Sequence, residues 1–164
     1  MGTQVRHQVF ETNSSSSHSI TVSGDEAADF GLGANVLRSG IIRVECYNDF
    51  GWTWEERAST TDKIAYMLMQ CDPNGFSDGV DVGDDIIPTL VERNENARWL
   101  VDLIERTTGC QVEFVVGDWV GIDHQSHGEG RELFSDEDQM RRFLFSGSSY
   151  IRTGNDNSSP YDYD

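Results

Sequence analysis

The segment Glu11–Ile20, ETNSSSSHSI, sets Thr12, Asn13 and the serines Ser14, Ser15, Ser16 and Ser17 directly before His18. Small hydroxyl side chains leave backbone amides open, so such a turn can cradle an anion through N–H groups and hydroxyls. It has neither the glycines nor the lysine of a Walker A loop, which excludes that phosphate loop. A serine beside a histidine can also act as an activated nucleophile, but adjacency in sequence does not supply the geometry. A plain polar turn is the third reading of the same residues.

A second cluster, GIDHQSHGEG (Gly121–Gly130), follows an apolar run. Asp123, His124, Ser126, His127 and Glu129 bring acid, base and metal-ligand types into one turn. Histidine is the side chain best suited to proton transfer near neutral pH. Zinc would need His124 and His127 joined by Asp123 or His18, a spacing that matches no established zinc motif. A solvated turn is the plain alternative. The third cluster, DPNGFSDGVDVGDD, carries Asp72, Asp78, Asp81, Asp84 and Asp85. It lacks the terminal Glu of an EF-hand, and a solvated acidic loop is the favoured reading. No cofactor motif is legible, so the cofactor is left unknown.

These clusters sit in a chain of 164 residues with a formal charge of −17, one domain's length. That charge repels nucleic acid and membrane surfaces, so neither is expected as a direct partner. It also admits an acidic mimic of DNA that occupies the basic groove of another protein. Phe50, Trp52 and Trp54 have acidic neighbours, Asp49, Glu55 and Glu56, and so read as core or pocket wall rather than a stacking platform. Cys46, Cys71 and Cys110 are widely spaced, without a CxxC, and read as buried free thiols. No apolar run reaches the roughly 18–20 residues of a membrane span, and no secretory signal is evident. The expected location is therefore cytoplasmic.

Alternation over residues 3–10 and 18–23 predicts two strands joined by the serine loop. Further strands are expected at 40–47, 110–117, 119–123 and 149–154. Helices are expected at 61–71, capped by Thr60 or Thr61, at 88–109 as one continuous element stopped by Gly109, and at 135–145, capped by Ser135. The whole predicts a single α+β domain over 1–152, a largely antiparallel sheet under two or three helices, with a flexible acidic tail over 153–164.

The stretch RHQVFETNSSSSHSI resembles the start of a group of tailed-bacteriophage and prophage proteins that open on a strand followed by an F-E-T-N-S-S-S-x-H-S loop. FGWTWEE, DKIAYML, GIDHQS, FLF and IRTGNDN are similar to later segments of that group. The resemblance implies a phage origin, with the host cytoplasm as location, and implies that the polar loops form one site. In that site Ser14–Ser17 hold an anion, with Thr12, Asn13, Ser126, Asn155 and Asp156 around it. His124 is the general base, Asp123 orients or coordinates, and His18 is the second acid/base candidate. The expected function is an accessory protein binding a nucleotide-like or other anionic ligand, with hydrolysis or group transfer left open. The alternatives are the DNA-mimic or anti-defence inhibitor, whose partner would be a host or phage protein with a basic surface, and a virion or assembly component.

Overall fold

The computed structural model describes residues 3–5, 16–46, 49–51, 54–76, 80–81, 85–117, 119–122 and 128–155. Its main sheet has the order β1 (Thr3–Val5), β2 (Ser16–Val22), β9 (Tyr150–Asn155), β5 (Glu55–Arg57), every pair antiparallel. Along β2 the alternation His18, Ile20, Val22 puts three buried side chains on the face that meets the core. Strand β2 starts at Ser16, earlier than the hydrophobic pattern predicts, because Ser16 and Ser17 pair with Asn155 and Gly154. Backbone pairing recruits them although their side chains give no strand signal. Likewise β9 runs to Asn155, one residue past the expected strand and into the stretch assigned to the tail.

A parallel pair, β3 (Ile41–Cys46) with β7 (Gln111–Val116), was not expected. It continues, after a shift of two residues in register, into β4 (Asp49–Phe50) paired with β8 (Trp119–Ile122). The short β6 (Val80–Asp81) joins β8 antiparallel, inside the segment that reads as pure loop. The architecture is α+β.

Helix α2 (Thr60–Cys71) lies at the centre, with ten of its twelve residues buried. A helix buried on every side belongs to the middle of a core rather than to its surface. Ser59 caps it, one residue before the expected threonines, by accepting from the amide of Asp62. Thr60 is used differently: its hydroxyl donates to the carbonyls of Phe30 and Leu144. Helix α1 (Ala34–Ser39) is short and has no buried residue.

The predicted helix over 88–109 is two helices, α3 (Ile86–Arg93) and α4 (Glu95–Thr108). Asn94 breaks it. Its backbone is extended (φ −105°, ψ 124°), its Oδ1 accepts from Ala97 N, and its Nδ2 donates to the carbonyl of Cys71. A side chain that caps one helix and closes the end of another outweighs the continuous 3.6-residue period. Gly109 ends α4 in the left-handed conformation, as predicted. Helix α5 (Glu137–Phe145) is capped by Asp136 rather than Ser135, which falls in a 3₁₀ turn over Arg131–Ser135. Among the described residues no helix is long and apolar enough to cross a membrane.

Candidate functional site

The polar residues that the fold brings together lie between the main sheet and α2. His18 projects from β2 onto the core face and is 7 % exposed. Its Nδ1 lies 3.3 Å from the hydroxyl of Tyr66. That hydroxyl also accepts from Gln70 Nε2 at 3.2 Å. Tyr66 and Gln70 stand one turn apart on α2 and therefore share a face. Gln70 Oε1 in turn accepts from the amide of Gly128 at 2.9 Å, which fastens the C-terminal end of the GIDHQSHGEG turn to the helix.

The next residue, Glu129, is 8 % exposed. Its carboxyl group accepts a hydrogen bond from the backbone of Ile20, two positions along β2 from His18. Its Oε1 has no hydrogen-bond partner among the described residues. Burial, with the carboxylate of Glu132 adding to it, pushes the Glu129 pKa up to about 7. Gly130 completes the anchor. It has φ +76°, and a Cβ there would come 2.8 Å from Ile20 Cδ1, so a larger residue would be strained and would have to displace the end of the Ile20 side chain.

Across the sheet His18 is opposite Thr153, which is opposite Glu55 on its other side. Directly paired residues share a face, and Thr153 is buried with His18. Arg57 forms ion pairs with Glu55 and Asp62 and stacks over Phe50, 5.0 Å from the ring centroid. Phe50 packs edge-on against Tyr66 with centroids 5.2 Å apart. The indole of Trp54 lies across Gly154, close enough that an added Cβ would come within 3.0 Å of it.

Burial drives the Tyr66 hydroxyl far above its ordinary pKa, with Glu129 and Glu132 adding to the effect and Gln70 opposing it. Tyr66 therefore stays neutral and orients its neighbours. Glu129 is able to exchange a proton near neutral pH, the property a general acid or base requires. The thiols are free and buried, and burial pushes Cys46 and Cys71 up to about 12, which removes them as nucleophiles.

Of the residues singled out from sequence, His18 is in the cluster. Ser16, Ser17 and Asn155 are in paired strands rather than in a loop. Thr12, Asn13, Ser14, Ser15, Asp123, His124, Ser126, His127 and Asp156 lie outside the described residues. Tyr66 and Gln70 do not stand out in the sequence, because the apolar stripe of the helix dominates its pattern. Two hydrogen-bonding groups four apart inside KIAYMLMQC were the available signal. Glu129 appears in the sequence only as one of the acid, base and metal-ligand types of its turn.

Among the described residues no group of three His, Cys, Asp or Glu side chains is placed to hold a metal ion. Among the described residues the exposed carboxylates are distributed. Exposed carboxylates occur on β3 (Glu45), α3 (Glu92), α4 (Asp102), β7 (Glu113) and α5 (Asp138), and those of Asp102 and Glu113 face arginines. Two clefts, of about 270 and 210 Å3, are lined by other residues than His18, Tyr66 and Glu129. Against protein-family models, curated proteins and solved structures alike, the chain has no match.

Proposed function

We propose that this chain is a phage-type accessory protein that binds a nucleotide-like or other anionic ligand at the end of its main sheet. The supporting observation is the register of β2 and β9. It sets Ser16 beside Asn155, Ser17 beside Gly154 and His18 beside Thr153, so the described residues of two of the three polar segments are paired neighbours. The third segment ends at Gly128–Gly130, tied to Gln70 and Ile20 on the same side of the core. On this reading Ser14–Ser17 supply hydroxyls and amides to the anion, with His124 and Asp123 contributing from the connecting turn. His18 and Glu129 are the proton-exchanging pair behind them. In a chain of charge −17 the anion is held by N–H groups and hydroxyls, which carry no opposing charge.

The test is fluorescence anisotropy with a labelled adenosine nucleotide, competed by inorganic phosphate. The full chain binds, and His18→Asn and His124→Ala each weaken binding about tenfold or more, with unchanged circular dichroism. Absence of binding at millimolar concentrations, or indifference to both substitutions, overturns the reading. If neutralising Asp78, Asp81, Asp84 and Asp85 abolishes a salt-sensitive complex with a basic protein while the histidine variants retain it, the inhibitor reading replaces it.

A further inference from the structure

The cleft of about 270 Å3 lies between α3 and the turn that follows α2, and the site described above uses none of it. From α3 it takes Ile86, Thr89, Leu90 and Arg93, spaced as one helix face. From the other wall it takes Asp72, Gly75 and Phe76. Phe76 is 1 % exposed and Leu90 8 %, so the floor is apolar. The walls carry opposite charges that do not neutralise each other: no ion pair joins Arg93 to Asp72, and Arg93 has no hydrogen-bond or ion-pair partner among the described residues. Asp72 is held in place. Its Oδ1 accepts from Gly75 N at 3.2 Å, and Gly75 leaves the room its Oδ2 occupies, since a Cβ there would come within 2.6 Å. Asp72 also caps the C-terminus of α2, whose carbonyl end adds negative potential on that wall.

We propose that this cleft binds a small zwitterion, an α-amino acid with an aliphatic side chain. Its carboxylate meets the Arg93 guanidinium, a fork suited to a planar anion. Its ammonium group meets Asp72 at the negative end of α2, and its side chain lies on Phe76, Ile86 and Leu90. The volume suits one such molecule, and an apolar site with a few convergent polar groups is the usual form of a small-molecule pocket.

Calorimetric titration of the full chain tests this with L-leucine and two probes that each lack one head group, 4-methylpentanoate and 3-methylbutylamine. Leucine binds, and each truncated probe is weaker by about tenfold or more. Arg93→Gln and Asp72→Asn, both at exposed positions, each lower leucine affinity by a similar factor without shifting the melting temperature. His18→Asn leaves it unchanged, which separates this cleft from the anion site. No heat with leucine at 10 mM (about the weakest affinity of interest), equal binding of either truncated probe, or indifference to both charge substitutions overturns the proposal.

Discussion

His18 on β2 and Tyr66 on α2 meet across the boundary between sheet and central helix, Nδ1 to hydroxyl oxygen at 3.3 Å, their rings tilted by 41°. Each of these buried polar groups gives the other a hydrogen-bond partner, and Gln70 and Gly128 extend the chain to the next loop. Tyr66→Phe keeps the ring against Phe50 and removes only the hydroxyl. It is expected to cost about 1–3 kcal/mol, since His18 and Gln70 both lose that partner. Urea denaturation checks this, and a midpoint equal to that of the parent would show that the contact contributes nothing.

Glu129 makes stability depend on pH in a stated direction. Its folded pKa, about 7, is above the ordinary 4.5, so between these values the folded chain holds a proton that the unfolded chain has released. The associated stability is complete below about pH 4.5 and is lost as pH rises to about 7. Glu129→Gln removes this component. The stability difference, variant minus parent, should therefore grow with pH across that window by up to about 3 kcal/mol, at 1.4 kcal/mol per unit. Denaturant titrations at half-unit intervals from pH 4.5 to 8 measure it, and a flat difference contradicts the burial of this carboxyl group.

Lys63, the only lysine, is fully buried in α2. Its Nζ donates to the carbonyls of Ser146 and Ser149 and lies 5.9 Å from the Phe143 ring centroid. Burial lowers its pKa from 10.5 to about 8. Lys63→Met fills similar space but abandons both carbonyls, an expected loss of about 1–3 kcal/mol. Between about pH 8 and 10.5 the unfolded state binds the extra proton, so the parent gains on the variant as pH rises through that range. Thermal melts at pH 7.5 and 9.5 compare the two, and a gap that narrows at the higher pH refutes the assignment.

Gly130→Ala places a Cβ against Ile20 Cδ1 and Met67 Sδ in a left-handed backbone. The combined strain and overlap are expected to cost about 1–3 kcal/mol. Because Glu129 and Gly128 sit on the same anchor, the variant should also lose protection of the Gly128 amide in hydrogen exchange. Full protection would mean that the anchor tolerates the added atom.

Local chemistry wrote much of this protein directly into the sequence. Alternation located β2 and the start of β7, an apolar run located β3, Gly109 stopped α4, and acidic first-turn residues marked the start of α5 although its cap is Asp136. These signals are legible because they act within one turn or along one strand. The helix break at Asn94 was hidden, since its reason is the carbonyl of Cys71, a contact made only in the folded chain. The parallel pairing of β3 with β7 was hidden for the same reason: the partners stand 70 positions apart, and nothing local specifies the match. The candidate site divides along the same line. Histidine and serine types at 14–18 mark the opening segment as a candidate site in the sequence. That His18 answers to Tyr66, and that Glu129 is buried and accepts from the backbone of Ile20, was decided by burial and hydrogen bonding between elements distant in sequence.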